Sequence, residues 1–257
     1  MAERKTVVLT GASGGMGTAV RKLLEEKGNC VWSLDIAECI VPRYIRTDIT
    51  SAESVEAAAR QIASESGKID AVVHAAGIYD MNSLVEMPEE EFLRIFNVNL
   101  FGMYRVNKAF LPLLNPNSHI IMVSSELAPL DPLPFNGIYG ITKSAIEKYA
   151  YSLRMELQLL GHKVSVIRPG AVKTSLLDVS QKRIGHFCDS TELYKNTSRR
   201  FLKLVNRIET ANVRPEKVAR IILKALESGH PRYVYNGHPR LGYPFQNTGH
   251  QRAFTST

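Results

Sequence analysis

The chain has 257 residues, 44% of them apolar and 22% charged, with a formal net charge of +7. That size suits one large α/β unit burying roughly three quarters of its unfolded surface, and the composition excludes collagen-like, disordered and disulfide-scaffold classes. From His162 onward 17 basic residues face 6 acidic ones, whereas the first 161 residues carry a balance of −4; the basic excess is dispersed rather than packed into a run, so it reads as a solvated face and no nucleic-acid partner is expected.

Met1–Lys5 leads straight into a strand with no signal-like segment, and no apolar stretch reaches the length of a bilayer span. Cys30, Cys39 and Cys188 have no metal-ligand spacing and leave one cysteine over in any disulfide scheme. The expectation is a cytoplasmic protein with no metal and no transmembrane segment.

In chain order, apolar strand-like runs alternate with helix-period segments. Thr6–Thr10 reads as a buried strand, followed by a Gly-rich turn and an amphipathic helix over Met16–Lys27. Cys30–Asp35 and Tyr44–Thr47 are the second and third strands, joined by about eight residues, Ile36–Arg43, too few for a normal crossover helix. Ser51–Ser66 is an Ala-rich helix with Ser51 as its cap, and Ile69–His74 a fourth strand. One long helical stretch is predicted from Pro88 to about Leu114, then a fifth strand over His119–Ser125. A long helix over Ile138–Leu160 ends at Gly161, followed by a sixth strand, Val164–Arg168. Pro215–Ser228 is a further helix and Arg232–Tyr235 a seventh strand. Strands this apolar, separated by helices, predict a Rossmann-like, doubly wound, mostly parallel seven-stranded α/β sheet with helices on both faces, three layers deep. Ligands of such sheets bind outside the carboxyl ends of the strands. Residues 1–257 are expected to form a single dinucleotide-binding and catalytic domain. Residues at about 175–212, polar and basic with interspersed aromatics, sit where a lid would; those at about 239–257 read as a loosely packed tail.

Thr10, Gly11, Ala12, Ser13, Gly14, Gly15, Met16 and Gly17 link the first strand to the first helix. Glycines there let the backbone turn tightly beside a pyrophosphate, and the helix N-terminus supplies unpaired N–H groups. Asp35 ends the second strand, placed to accept from adenosine ribose hydroxyls and to repel a 2′-phosphate, which favours NAD over NADP. Asp48, beside Ile49 after the third strand, either hydrogen-bonds the adenine or caps the next helix.

Two Tyr-xxx-Lys pairs occur, Tyr104/Lys108 and Tyr139/Lys143. Tyr139 opens a helix 14 residues after Ser125, at the binding edge, whereas Tyr104 lies mid-helix with no such serine upstream. Tyr139/Lys143 is therefore read as the chemistry and Tyr104/Lys108 as helix surface. Taking hydride from a carbinol carbon requires a base for the hydroxyl proton, and a lysine at i+4 lies on the same helix face as the phenol. An ammonium about 4 Å away stabilises a phenolate by up to ~4 kcal/mol at an effective dielectric near 20.

The ordered set Thr10–Gly17, Ala75-Ala76-Gly77, Asn99-Leu100-Phe101-Gly102, Ser124-Ser125, Tyr139xxxLys143 and Pro169–Thr174 resembles the short-chain dehydrogenase/reductase family over about residues 6–174. The resemblance implies an NAD(P)-dependent oxidoreductase interconverting a secondary alcohol and a ketone, with Tyr139 as general acid/base, Lys143 beside it and Ser125 orienting the substrate oxygen. The serine–tyrosine spacing is one residue longer than usual, which keeps Ser124 open as the alternative. Asn99 matches the asparagine that holds a relay water, its alternative being a structural kink. Ala75, Ala76, Gly77, Pro169, Gly170, Val172 and Thr174 fall at cofactor-contacting positions. His74 stands where the family has asparagine and is read as a structural residue. The loop Glu126–Asn136, with Leu127, Leu130, Leu133 and Phe135, suggests a lipophilic substrate wall. The resemblance also implies a homodimer or homotetramer built on the two long helices. Rival readings are a cofactor-binding regulatory or scaffold protein, and an NAD-dependent epimerase or dehydratase.

Overall fold

The computed structural model describes residues 4–132, 134–173, 175–199 and 213–237. Leu133, Thr174, residues 200–212 of the expected lid and the expected tail at 239–257 lie outside the described residues.

Seven strands form one sheet: β1 (Thr6–Thr10), β2 (Cys30–Asp35), β3 (Tyr44–Arg46), β4 (Ile69–His74), β5 (Leu114–Val123), β6 (Lys163–Arg168) and β7 (Val234–Asn236). Their order is β3-β2-β1-β4-β5-β6-β7, and every neighbouring pair is parallel. The chain therefore reverses its direction of travel between β1 and β4, and the crevice outside their carboxyl ends is the switch point where such sheets take ligands. The helices are α1 (Gly15–Glu26), α2 (Ala52–Ser66), α3 (Glu89–Phe96), α4 (Gly102–Phe110), α5 (Gly137–Leu157), α6 (Ser175–Ser190) and α7 (Pro215–Glu227).

The apolar strands are buried on both faces. Alternate residues point to opposite sides of a strand, so Val7 and Leu9 join Val20, Leu24 and Ile222 of α1 and α7, while Val8 joins Ile62, Val106 and Ile146 of α2, α4 and α5. Ser51 caps α2, its hydroxyl accepting from the Ser54 N–H at 3.2 Å, and Gly161 in the left-handed region (φ +79°) follows the short 3₁₀ turn that closes α5. Among the described residues, no helix is long and apolar enough to cross a membrane.

Most boundaries shift by one to three residues; the largest departures from the sequence expectation lie on either side of β5. The predicted Pro88–Leu114 helix is interrupted by a π turn at Asn97–Phe101 between α3 and α4, and it ends in a 3₁₀ turn at Leu111–Leu113. Leu114 already belongs to β5, pairing with Ile69 of β4. That strand also stops at Val123, so Ser124 and Ser125 leave its carboxyl end rather than lying within it.

Two buried histidines give the fold a pH signature. His74 Nε2 lies 2.7 Å from Asn107 Oδ1 inside the core, and burial brings its pKa down to about 4. His119 Nε2 lies 2.9 Å from Ser165 Oγ, and burial followed by the positive charge of Lys163 and Lys5 lowers its pKa to about 3. Both are lowered from 6.5, so below that pH the unfolded chain binds protons that the folded chain refuses. Stability is thus fully present above about 6.5 and falls as pH drops toward the folded values. The loss at pH 5 is about 2 kcal/mol per histidine, from 1.36 kcal/mol per unit. Thermal melts from pH 7 to pH 5, above the main carboxylate range, are expected to lose roughly 10 °C. A flat melting temperature over that interval would contradict the buried neutral state.

Candidate active site

The first βα turn is shaped by close backbone contacts. Gly11 has φ +69°, and a Cβ there would lie 2.5 Å from Ala76 N; a Cβ on Gly17 would lie 2.0 Å from Gly11 O. The two loops are joined further by Ala75 N–H donating to Thr10 O (3.2 Å) and Ala76 N–H to Thr10 Oγ1 (3.4 Å). Gly14 differs, because a Cβ there meets only Gly11 O at 3.4 Å. It opens onto space at the N-terminus of α1, whose first turn has no acidic residue and no side-chain cap. Packing thus demands glycine at 11 and 17, and at 14 leaves room for a ligand phosphate among unpaired N–H groups. Gly15 and Met16 begin α1, Met16 packing against the core.

Asp35 ends β2 beside this turn, Oδ2 accepting from Ser13 N–H at 2.9 Å and Oδ1 from Ala37 N–H at 3.1 Å. Carboxylate oxygens each accept more than one bond, which leaves capacity for ribose hydroxyls. Arg46, its register partner on β3, is a nearby cation that the sequence reading overlooked. Its guanidinium is turned to Ile36 O (3.2 Å) and Glu38 (3.6 Å). Asp48 accepts from both the N–H and the hydroxyl of Thr50, at 2.8 and 2.7 Å, in a local cap before α2. Ile49 packs against Gly102, where a Cβ would lie 2.7 Å from its Cδ1.

Ser125, Tyr139 and Lys143 converge beyond the end of β5. The Ser125 hydroxyl is hydrogen-bonded to the Tyr139 phenol, and it accepts from Leu127 N–H at 3.2 Å. Lys143 is buried, its Nζ 5.4 Å from the centre of the Tyr139 ring, with one N–H donated to Val123 O at 3.2 Å. Ser124 faces the other way, donating to Glu147 Oε1 (3.1 Å) and within 3.3 Å of Lys143 O. The geometry separates the two serines: Ser125 meets the phenol and Ser124 braces α5. Glu147 in turn grips Arg168 at the end of β6, with Nε 2.7 Å from Oε1 and Nη2 2.5 Å from Oε2. This brace, unforeseen in the sequence, ties the strand ends that carry Ser125 and Pro169 to the helix that carries Tyr139.

The electrostatics run against the expectation of an acidified phenol. Burial pushes Tyr139 up to about 12, the Ser125 hydrogen bond pulling it down and the Glu126 charge pushing it further up. Burial also lowers Lys143 to about 8. Taking both groups out of water disfavours phenolate and ammonium alike, an effect that i, i+4 spacing does not reveal.

Asn99 is fully buried in the π turn, Oδ1 accepting from Ile78 N–H (2.8 Å) and Nδ2 donating to Ile78 O (3.0 Å) and Thr142 Oγ1 (3.2 Å). A Cβ on Gly77 would lie 3.3 Å from Asn99 Oδ1 and 3.7 Å from Lys143 Nζ, so the glycine keeps this corner open. His74 is held by Asn107 in the core, as a structural residue. Tyr104 and Lys108 form an exposed pair on α4, with the ammonium 6.0 Å from the ring. On the far side of the sheet edge, Pro169 O accepts from Glu126 N–H at 3.1 Å. Val172 bridges to Val213 through Ala171 O and Lys173 N–H rather than through its own backbone groups. Among the described residues no group of three or more His, Cys, Asp or Glu side chains is placed to hold a metal.

An aromatic-rich hydrophobic cluster packs beside Tyr139. Tyr79 lies tilted against Tyr139 with ring centres 4.6 Å apart, while Phe135 meets Phe187 of α6 at 4.7 Å and Tyr194 at 5.0 Å. The buried Asp80 pairs with Arg183 of α6 (2.9 Å) and lies 3.6 Å from Arg94; Glu86 accepts from Thr191 Oγ1 (2.6 Å) and from the N–H groups of Glu192 and Leu193. Residues 175–199 are thereby fastened to the loop before α3, and Arg183 and Lys195, the latter held by Glu192, have carboxylate partners.

A family model described as short chain dehydrogenase matches residues 5–184. A 3-ketodihydrosphingosine reductase of Bacteroides thetaiotaomicron is 30% identical over 232 residues, covering 88% of this chain and 85% of that protein. Among solved structures, a short chain dehydrogenase/reductase from Burkholderia phymatum in complex with NAD superposes with a TM-score of 0.78 at 22% identity, over 92% of this chain and 90% of that one. An alcohol dehydrogenase from Thermococcus sibiricus complexed with 5-hydroxy-NADP does so with a TM-score of 0.71 at 24% identity, over 91% and 96%.

Proposed function

The chain belongs to the short chain dehydrogenase family, and on that footing we propose that it interconverts a secondary alcohol and a ketone on a lipophilic substrate with a nicotinamide cofactor. The observation that carries this reading is the convergence of Ser125, Tyr139 and Lys143 at the carboxyl edge of the sheet, next to a glycine turn open at Gly14. The name of the 30%-identical relative, a ketone reductase, supports the direction of the chemistry.

A nicotinamide, when bound, supplies the hydride donor or acceptor. Everything else falls to the chain. Thr10, Gly11, Ser13, Gly14, Gly15 and Met16 would line the pyrophosphate and Asp35 the ribose. Lys143, whose remaining donors have no partner among the described residues, would hold hydroxyls nearer the reacting end. Ala75, Ala76, Gly77, Pro169, Gly170 and Val172 would flank the cofactor, with Asp48 and Ile49 at its adenine end. Ser125 and Tyr139 direct two hydroxyls at the substrate oxygen, fixing it for transfer. Tyr139, protonated at neutral pH, hands its proton to the forming alcohol in the reducing direction and recovers one in the oxidising direction. The aromatic cluster of Tyr79, Phe135, Phe187 and Tyr194 excludes water and receives the apolar part of the substrate. The exposed Phe101, Tyr104, Ile141, Tyr151 and Met155 on and beside α4 and α5 would be covered in a homodimer or homotetramer.

The direct test is absorbance at 340 nm with a panel of secondary alcohols and NAD, and with ketones and NADH. No turnover on either panel, despite tight cofactor binding, would favour the regulatory reading instead. Asp35 sets the cofactor preference, since Arg46 is engaged with Ile36 O and Glu38. NAD is therefore expected to raise the melting temperature more than NADP at equal concentration, and the reverse order would defeat the assignment of Asp35.

A further inference from the structure

The amino-terminal edge of the sheet, opposite the catalytic cleft, has a cavity of its own. Between the pairs Ile69–Leu114 and Ala71–His119, β4 supplies one residue, Asp70, where β5 supplies four, Asn115, Pro116, Asn117 and Ser118. The surplus leaves the ladder: Pro116 and Asn117 are exposed, and Asn117 takes the left-handed region at φ +62°. Beside this bulge lies a cavity of about 270 Å³. Its lining includes Arg4 and Lys5 from the segment before β1, Asp70 of β4, Ser118 and His119 of β5, and Lys163 at the start of β6.

The charged groups there are unevenly satisfied. Asp70 is engaged, Oδ2 accepting from Thr6 N–H and Oδ1 from the Asn115 amide, both at 2.7 Å. Lys5 donates to Leu226 O at 2.7 Å and so offsets the carbonyl end of α7. The Arg4 guanidinium and the Lys163 ammonium have neither a hydrogen bond nor an ion pair among the described residues. The buried His119 lies in the same wall. Ser165 Oγ gives its hydrogen to Arg232 O (2.6 Å), so His119 Nε2 carries the proton it shares with Ser165, and Nδ1 makes no hydrogen bond. After burial, the charges of Lys163 and Lys5 are what hold this ring neutral, against the Ala225 carbonyl, which favours the protonated form; Arg154 adds to the two lysines. Cations from two separate segments thus converge on one wall.

We infer that this cavity is an anion site taking a phosphate-class dianion, free or carried on a small molecule. Arg4, Lys5 and Lys163 against Asp70 leave a balance of +2, which a dianion matches. Arg4 and Lys163 supply open donors for charge-assisted bonds to its oxygens. The volume is several times the roughly 30 Å³ share of one water, yet below the range of about 300–1,000 Å³ typical of drug-sized ligands. It therefore suits a phosphoryl group with at most a short carbon body. Bound there, the anion links the segment before β1 to the start of β6, across the stretch where the bulge interrupts the ladder.

The test is a calorimetric titration of the full chain with inorganic phosphate, at an ionic strength held constant with sodium chloride, in the presence and absence of NADH. Saturable binding is expected, weakened roughly tenfold by Lys163→Gln and by Arg4→Gln, and little changed by Lys163→Arg or by NADH. The His119 ring resonances should shift along the same binding curve, because the anion offsets the cations that act on that ring. Glycerol 3-phosphate separates the two sources: tighter binding than phosphate marks a phosphorylated small molecule, equal or weaker binding marks free phosphate, and both uphold the site. No saturable binding, or binding unchanged in both Lys163→Gln and Arg4→Gln, overturns the inference. So does competition with NADH, which would put the phosphate at the glycine turn. Should NADH itself fail to bind, the oxidoreductase reading suffers, while the two variants still decide this site.

Discussion

Tyr139→Phe is expected to lower kcat by about 10²–10⁴, the range that a positioned general acid/base contributes, with cofactor affinity and melting temperature close to wild type. The ring keeps its contact with Tyr79 at 4.6 Å, and Ser125 keeps the Leu127 N–H, so the substitution removes a proton carrier without dismantling its surroundings. The phenol's pKa of about 12 gives the two directions opposite pH profiles. Ketone reduction needs the protonated phenol, present throughout the neutral range, and should fall only as the solution becomes strongly alkaline. Alcohol oxidation needs the phenolate and should climb with pH. Ser125→Ala should also cut kcat, through lost orientation, whereas Ser124→Ala should act chiefly on stability by removing one bond to Glu147, which Arg168 still holds. Initial rates of NADH production and consumption across pH check all of these; full turnover by Tyr139→Phe would remove the proton donor from the scheme.

The same residues show how far the sequence could be read. Strand and helix order, and the glycine turn beside Asp35, were legible because they are local: two-residue and 3.6-residue periodicities and turn chemistry lie within short windows. The choice between Ser124 and Ser125 was not. It depends on how the chain leaves β5 at Val123 and on Glu147, which reaches Ser124 only once α5 has packed across the sheet. The π turn was hidden for a similar reason, since one widened turn barely disturbs an apolar pattern, although it is what aims the Asn99 amide at Ile78. The expectation of an acidified phenol counted the positive charge of a bound nicotinamide as well as that of Lys143, and for the chain alone the shift runs the other way. Spacing placed an ammonium near a phenol, but only the folded structure shows Lys143 buried and lowered to about 8, and the partly buried Tyr139 raised to about 12 by the loss of water around its phenol. Whatever lowers the phenol during turnover must therefore come with the ligands.

The glycines of the first turn separate packing from ligand binding, and Gly17→Ala is expected to be the most damaging substitution there. Its Cβ would fall 2.0 Å from Gly11 O, 2.8 Å from Gly11 C and 2.9 Å from Ala12 Cα. All three are main-chain atoms, so no rotamer change relieves the overlap. The N-terminus of α1 must move away from the turn, disturbing the packing of Val20 and Leu24 in the core beneath it. Overpacking of this kind costs about 1–3 kcal/mol, and the displaced helix end no longer presents its N–H groups to a phosphate. Melting temperature and cofactor affinity should fall together, the latter by more than tenfold. Gly14→Ala is the discriminating control. Its methyl group meets protein only at 3.4 Å, so the fold should melt near the wild-type temperature. If the space it enters belongs to a pyrophosphate, affinity for NAD nevertheless drops, as read by titration of the quenching of Trp32. Equal NAD affinity in Gly14→Ala and the wild type would place the dinucleotide elsewhere and leave the turn a purely structural device.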